Sequence, residues 1–196
     1  GATVFTQSEV ATVLSGSPNR RHGLVKRALA SGEILGIRRG LYCLPRPYQK
    51  RPLRIHALAQ QIYGPSYISF ESALSYHGWI PEAVYTCTCA SFGKAKVFKT
   101  PLGRFDYKHV PQKVFYVGVA RDVDESGNVA FIATPAKALA DYVYLHDPPW
   151  NSIEGASSSL RVEMEDLLAV APDDLAELEE NYTNKRVQAF LQSWRM

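Results

Sequence analysis

Two short segments near the start of the chain carry apolar residues at helical spacing. In the first segment the apolar stripe consists of Val10, Val13 and Leu14. The stripe follows Thr6-Gln7-Ser8-Glu9, which matches a capping box: the Thr hydroxyl and the Glu carboxylate each accept a hydrogen bond from a backbone N–H that the helix leaves unpaired. The pattern predicts a helix from about Gln7 to Leu14.

The sequence Ser15-Gly16-Ser17-Pro18 predicts that this helix ends and a second one begins. Gly tolerates the left-handed exit of a helix, Ser caps the next helix, and Pro fits its first position. At about 100° per residue, the second helix has one apolar face and one face that is polar, basic and partly small-sided. The apolar face consists of Leu24, Val25, Ala28 and Leu29, and the opposite face of Asn19, Arg20, Gly23, Lys26, Arg27 and Ala30.

The outward face of this second helix, Pro18 to Ala30, suits the major groove of DNA. Arg binds guanine or phosphate, Asn binds adenine through two hydrogen bonds, and Gly23 lets the helix axis approach the duplex closely. The N-terminal end of the helix also favours a phosphate. A solvated helix face is the alternative interpretation, because that is the usual role of a run of charges.

Two β-rich segments come next, Ile34 to Arg38 and Leu41 to Leu44, and they are joined through Arg39-Gly40. Glycine in a two-residue turn supplies the positive φ that a tight hairpin requires. The pattern predicts a hairpin from Ile34 to Leu44 with two arginines at its tip. Helix, turn, basic helix and basic hairpin, in this order, indicate a winged helix-turn-helix, in which the hairpin, or wing, rests on the DNA backbone or minor groove.

Basic residues continue beyond the hairpin in a Pro-rich stretch that is typical of a linker. The first 54 residues carry ten Lys and Arg against two acidic residues, whereas the other 142 carry twelve against seventeen. This asymmetry is hidden in a net charge of +3 and indicates a nucleic-acid partner. We therefore predict a DNA-binding surface formed by Asn19, Arg20, Arg21, Gly23, Lys26, Arg27, Arg38, Arg39, Arg46, Lys50 and Arg51.

Residues 54 to 196 mix helical and β-rich patterns. Helices are predicted over residues 55–62, from a Ser69 N-cap to His77-Gly78, and over residues 134–146, with two or three more over residues 161–168, 172–181 and 184–194. Strands are predicted near residues 84–89, 96–100, 104–110, 114–119 and 129–133. The connections between strands are too short for helical crossovers, so the sheet is expected to be mostly antiparallel. Residues 151–159 are small and polar and predict a loop.

The predicted fold class is α+β. A winged helix-turn-helix domain over residues 1–50 is followed, over residues 54–196, by a mixed, mostly antiparallel α/β domain with an acidic, helical C-terminal end. The longest apolar stretches fall far short of the roughly 20 residues that span a bilayer. Three cysteines, Cys43, Cys87 and Cys89, form no CxxC pair. A cytoplasmic protein with reduced thiols is therefore expected.

Common catalytic and metal-binding motifs do not occur. The five histidines show neither HxxxH nor HxH spacing, and GxxxxGK[ST], GxGxxG and GxSxG are missing. We therefore expect no catalytic residue, no metal and no cofactor. One rival function is a metal-dependent nuclease in which Glu71 and Asp106 hold Mg²⁺ and Lys108 steadies the attacking water. Another is a protein-interaction adaptor whose basic N-terminal part contacts an acidic partner.

Blocks of sequence along nearly the whole chain are similar to one family. In the N-terminal part, Gly32-Glu33-Ile34-Leu35 leads to Arg39-Gly40-Leu41-Tyr42 after a short helix pair. The later blocks are Tyr67-Ile68-Ser69-Phe70-Glu71-Ser72-Ala73-Leu74, Gly78-Trp79-Ile80-Pro81-Glu82, Thr100-Pro101-Leu102-Gly103-Arg104-Phe105-Asp106-Tyr107 and Ala133-Thr134-Pro135-Ala136-Lys137-Ala138-Leu139-Ala140-Asp141. In order and spacing they resemble AbiEi-type antitoxins, which are transcriptional regulators of bacterial abortive-infection systems. The family commonly has another helix before the first one, and Pro-Glu-Lys-Ala where this chain has Pro135-Ala136-Lys137-Ala138.

The resemblance implies an antitoxin of a type IV toxin–antitoxin system, which serves phage defence. The winged helix would repress transcription of its own operon by binding double-stranded operator DNA, with two copies on one operator. The C-terminal domain would counteract a nucleotidyltransferase-like toxin without a stable complex. Neither a membrane partner nor an enzymatic activity is expected.

Overall fold

The computed structural model describes residues 3–195, which contain helices and two β-sheets joined by turns and loops, so the fold class is α+β. The N-terminal elements are β1 (Val4–Thr6), α1 (Gln7–Val13), α2 (Pro18–Ser31), β2 (Leu35–Arg38) and β3 (Leu41–Cys43). The three strands form an antiparallel sheet in the order β1-β3-β2. Strand β1 is not evident from the sequence, because three residues are too few to show an alternating pattern.

The predicted caps and hairpin turn are confirmed. The Glu9 N–H donates to the Thr6 hydroxyl at 3.3 Å, and the Thr6 N–H donates to the Glu9 carboxylate at 2.6 Å. At the start of α2, the Arg20 N–H donates to the Ser17 hydroxyl at 3.3 Å. Gly40 has a φ of +76° in the turn between β2 and β3, the conformation for which glycine is favoured there.

The apolar face of α2 is only partly covered. Val25 is the buried residue of α2, whereas Leu29 is 39% exposed. Helix α1 is seven residues long and buries none of its own side chains, so it covers only part of α2. An open groove of about 470 Å³ remains between α1, α2 and the ends of the neighbouring strands, and most of its lining is apolar.

The rest of the chain begins with a 3-10 turn at Arg46–Tyr48 and supplies most of the buried core. Its elements are α3 (Ile55–Ile62), β4 (Ser66–Ile68), α4 (Phe70–Tyr76), β5 (Thr86–Ser91), β6 (Lys96–Thr100), β7 (Gly103–His109), β8 (Val119–Val123), β9 (Val129–Ala133), α5 (Pro135–His146), α6 (Ile153–Leu160), α7 (Met164–Leu168), α8 (Pro172–Asn181) and α9 (Lys185–Arg195). No helix among residues 3–195 has the length and apolar character needed to cross a membrane.

The larger sheet is mixed, with the strand order β6-β7-β5-β4-β9-β8. Three of its neighbouring pairs are antiparallel, and two, β5 with β7 and β4 with β9, are parallel. The chain joins β5 to β7 without a helical crossover: β6 takes the outer edge, and a hairpin then returns β7 into the place beside β5. A short connection therefore does not exclude a parallel pair.

The predicted strand over residues 114–119 is wrong. Most of this segment is a turn, and only Val119 belongs to a strand. The Asn181 side chain forms hydrogen bonds with both backbone groups of Val114: it accepts from the N–H at 2.7 Å and donates to the carbonyl at 3.0 Å. Gly118 has a φ of +70°, which interrupts an extended backbone. A distant side chain thus replaces the hydrogen bonds that a neighbouring strand would supply.

Two further predictions for this part of the chain are corrected. Ser69 lies at the N-cap of α4, but its hydroxyl donates to Asp141 at 2.6 Å instead of capping the helix. The Thr88 hydroxyl fills that role by accepting from the Ser72 N–H at 3.1 Å. Residues 151–159 form most of α6 rather than a loop, because Ile153 and Ala156 are buried on one side of it.

The apolar core is continuous across the predicted domain boundary. Ile37, Leu41 and Cys43 of the hairpin belong to the same cluster of buried residues as Leu58 and Ile62 of α3. Strand β2, at the edge of the small sheet, also lies next to β6, at the edge of the large one. The hairpin thus packs directly on α3 and β6, which follow the predicted boundary in the chain. The division into two domains at residues 50–54 stays a prediction.

Candidate nucleic-acid interface

Helix α2 presents most of its predicted contact residues to solvent. Asn19, Arg20, Lys26 and Arg27 are exposed, and Gly23 is half-buried between them along the helix. None of the eight ion pairs formed within residues 3–195 involves a cation of this helix. The helix also contains no acidic residue. Its outer face therefore carries uncompensated positive charge.

Arg21 differs from the other cations of α2. It is half-buried, and its Nη1 donates to the Ala11 carbonyl of α1 at 3.3 Å. The hydrogen bond fixes the spacing of the two helices. Arg21 therefore holds α2 in place, while its neighbours Arg20 and Arg27 are free to reach a ligand.

The two arginines at the hairpin tip have different surroundings. Arg39 is exposed and makes no side-chain hydrogen bond or ion pair within the described part of the chain. Arg38 donates through Nε and Nη2 to the Gln61 carbonyl, at 3.2 and 3.0 Å, and through Nη1 to the Arg39 carbonyl at 3.1 Å. The structure thus turns one of the two predicted contacts toward α3.

The basic residues after the hairpin also divide into two kinds. Arg46 and Lys50 are exposed and have no side-chain partner among residues 3–195. Arg51 donates through Nη1 to the Glu125 carbonyl at 3.3 Å and to the Ser126 hydroxyl at 3.1 Å, in the turn between β8 and β9. It ties the linker to the larger sheet.

Arg54, at the start of α3, is paired with Asp122 of β8, and the Tyr76 hydroxyl donates to the same carboxylate. The Arg54 guanidinium, followed by the Tyr76 hydroxyl, lowers the pKa of Asp122. This cation is neutralised, so it adds little to the positive surface. Among the basic residues up to Arg54, Arg54 is the one with an acidic partner within residues 3–195. Arg38 and Arg51 are exposed and bonded only to neutral oxygens, so they also carry uncompensated charge.

The residues proposed for the nuclease rival line one cleft of about 820 Å³ in the larger sheet. Asp106 lies between two cations: its Oδ1 is 3.1 Å from Lys108 Nζ, and its Oδ2 is 3.7 Å from Arg104 Nη2. Glu71 is paired with His146, with Oε1 and Nε2 3.4 Å apart. Residues 3–195 contain no group of three or more His, Cys, Asp or Glu side chains arranged to hold a metal ion. Each carboxylate has a basic side chain of the protein beside it.

A buried polar cluster, not anticipated from the sequence, lies under the C-terminal helices. Lys137 and Asp141 of α5 are fully buried, with Nζ and Oδ1 3.2 Å apart. Lys137 Nζ also donates to the Tyr182 hydroxyl at 2.6 Å, and Asp141 Oδ2 accepts from the Tyr67 hydroxyl at 3.0 Å. Burial lowers the pKa of Lys137, and Asp141 opposes that shift. The cluster joins α5 to β4 and to the end of α8, and all four of these side chains are buried.

No protein-family model matches this chain, and no curated protein sequence does. The assignment of a function therefore depends on the residues and their geometry.

Proposed function

We propose that the protein is a DNA-binding transcriptional regulator whose N-terminal part is a winged helix-turn-helix. The observation that carries the proposal is the outer face of α2, where exposed cations lack any counter-charge within residues 3–195. After that helix comes a hairpin with a two-residue turn, and the exposed Arg39 lies in this turn. Helix, turn, helix and wing in this order support docking of α2 in the major groove.

Within this proposal the eleven predicted contacts separate into two groups. Those without a side-chain hydrogen bond or ion pair within residues 3–195 bind DNA: Asn19, Arg20, Gly23, Lys26 and Arg27 on α2, Arg39 on the wing, and Arg46 and Lys50 on the linker. Arg and Lys on phosphates supply affinity, and the side chains of α2 in the groove supply sequence preference. Arg21, Arg38 and Arg51 hold the binding surface in place through protein carbonyls and a hydroxyl.

We further propose that the protein is an AbiEi-type antitoxin. The support is the set of similar blocks, two of which are joined in the structure: Ser69 and Tyr67 of one block both donate to Asp141 of another. In this proposal the protein represses its own operon in the cytoplasm, and the C-terminal part counteracts a nucleotidyltransferase-like toxin without a stable complex. Two basic groups that have no part in the nuclease rival argue against it, because Mg²⁺ would have to displace them: Arg104 lies 3.7 Å from Asp106, and His146 lies 3.4 Å from Glu71.

Fluorescence anisotropy with the DNA upstream of the protein's own reading frame tests the DNA-binding proposal. The wild type should bind with an affinity that falls steeply with salt, by a slope of about −0.9 in log–log form for each phosphate contacted. Arg20→Ala combined with Arg27→Ala should remove most of the affinity.

The matched control is Lys113→Ala combined with Lys185→Ala, which removes two exposed charges from the C-terminal part. It should bind like the wild type. Equal binding by both double variants would overturn the assignment of α2, and no selective retention of DNA by the wild type would favour the adaptor. A nucleotidyltransferase-like reading frame directly beside this one would support the antitoxin proposal.

A further inference from the structure

Arg38 is bound to the protein through most of its guanidinium. Two of its nitrogens donate to one oxygen, the Gln61 carbonyl, and a third donates to the Arg39 carbonyl. Gln61 lies in the last turn of α3, where helix carbonyls have no partner within the helix. A cation at this position also complements the partial negative charge of the helix end. The site suits Arg38 without any external ligand.

The hairpin that carries Arg38 packs on the same part of the protein. Ile37, Leu41 and Cys43 are buried in the core that includes Leu58 and Ile62 of α3. The apolar contacts hold the hairpin along its length, from Cys43 at its base to Ile37 and Leu41 beside the turn, and the Arg38 hydrogen bonds add polar contacts at the tip. The turn that carries Arg39 is held on one side by α1, whose Gln7 N–H donates to the Gly40 carbonyl at 2.9 Å, and on the other by α3, which lies outside the predicted DNA-binding domain.

We propose that Arg38 is a positioning residue: it does not contact DNA, and it clamps the wing tip to the end of α3 so that Arg39 is held ready for a phosphate. This inference depends on the proposed DNA-binding function. A wing that is already fixed in the free protein loses less conformational entropy on binding, and affinity rises accordingly. The C-terminal part thus contributes to DNA affinity through a contact that lies within the protein.

Lysine and glutamine substitutions separate a clamp from a phosphate contact. Lysine keeps the charge but lacks the planar fork that binds one carbonyl through two nitrogens. Arg38→Lys and Arg38→Gln should therefore both bind DNA more weakly, by roughly 3- to 10-fold and with an unchanged salt slope, as expected for the loss of one or two hydrogen bonds. The lysine variant should be the milder of the two, because it keeps the positive charge at the end of α3. Arg39→Lys should bind nearly as the wild type does, whereas Arg39→Gln should reduce the steepness of the salt slope by about 0.9.

Hydrogen exchange on the free protein supplies a measurement that does not require DNA. Backbone amides of β2 and β3 should exchange faster in Arg38→Lys and Arg38→Gln than in the wild type, and at the wild-type rate in Arg39→Gln. This pattern, together with the salt slopes, would establish the clamp.

Two results would overturn the inference while leaving the proposed function intact. Wild-type affinity in Arg38→Lys together with a reduced salt slope in Arg38→Gln would make Arg38 a phosphate contact. Unchanged affinity in both Arg38 variants would make the clamp irrelevant to binding. By contrast, a wild-type protein that fails to bind DNA would refute the proposed function itself, and the inference would fall with it.

Discussion

Lys137 and Asp141 lie one turn apart on α5 and form an ion pair from which solvent is fully excluded. Other polar groups complete the pair. The Tyr182 hydroxyl and the Gln112 side-chain carbonyl accept from the lysine, and the hydroxyls of Ser69, Tyr67 and Tyr182 donate to the aspartate. Each charge therefore has several partners, and the removal of either residue leaves the other charge buried without its main counter-charge.

Replacement of Lys137 by Met should lower the free energy of unfolding by about 3–5 kcal/mol, because it leaves the Asp141 carboxylate uncompensated. Urea denaturation followed by circular dichroism measures the change. Lys113→Met, at an exposed lysine, is the control and should stay within about 0.5 kcal/mol of the wild type. A loss below about 1 kcal/mol for Lys137→Met would contradict the account of the cluster.

Asn181 should be important for the turn at residues 114–118. Asn181→Ala removes the acceptor for the Val114 N–H and the donor for its carbonyl, so the unfolding free energy should fall by about 1–3 kcal/mol. Thermal and urea unfolding measure the effect. Asn151→Ala, at an exposed asparagine without a side-chain partner among residues 3–195, should be neutral. Equal stability of the two variants would show that Asn181 does not hold the turn.

His56 should make the fold less stable in mild acid. Burial, and next the Arg54 charge, lowers the pKa of His56 from its ordinary value of 6.5, while Asp122 opposes the shift. The unfolded chain therefore takes up a proton at a pH where the folded protein does not. Stability is lost as the pH falls from about 6.5 toward the lowered folded value, and it is fully present above that range.

Unfolding in urea at several pH values between about 7.5 and 5.5 tests this expectation. His56→Gln should lose less stability on acidification than the wild type does. His22→Gln, at an exposed histidine of α2, serves as the control and should retain the wild-type pH dependence. A wild-type slope in His56→Gln would assign the acid sensitivity to other groups.

The cleft around Asp106 should not cleave DNA. Because Arg104 lies beside this carboxylate and His146 beside Glu71, where Mg²⁺ would have to displace them, supercoiled plasmid incubated with the protein and Mg²⁺ should stay intact. Gel electrophoresis is the measurement. Cleavage that requires Mg²⁺ and disappears in Asp106→Ala would support the nuclease rival in place of a regulator alone.

Local features of the chain are the ones that the sequence reveals well. The capping box at Thr6 and Glu9, the Ser17 cap and the turn at Gly40 each depend on residues a few positions apart, and all are confirmed. Strands β6 and β9 have the predicted bounds. The apolar run at residues 114–119 wrongly predicts a strand. The residue that holds this segment in a turn, Asn181, lies 67 positions away from Val114 and shows no local pattern.

Long-range contacts also limited the prediction of the candidate interface. The basic hairpin tip predicts that Arg38 and Arg39 both contact DNA. Arg38 instead donates to a carbonyl on α3, a contact that no local sequence pattern shows. Lys137 and Asp141 have the spacing of an ordinary exposed pair on a helix, and they are buried because α5 packs between α4, the end of β4 and the C-terminal helices. The exposure of Arg20, Lys26 and Arg27, by contrast, agrees with helical periodicity alone.

The shared core beneath the hairpin has a thermodynamic consequence. Since Ile37, Leu41 and Cys43 are shielded by side chains of α3, the hairpin and the larger sheet should melt in one cooperative transition. A fragment cut after residue 50 would expose these three side chains to water and tend to self-associate. Separate tests of the proposed DNA-binding and antitoxin roles therefore call for surface substitutions in the intact chain, not for truncation.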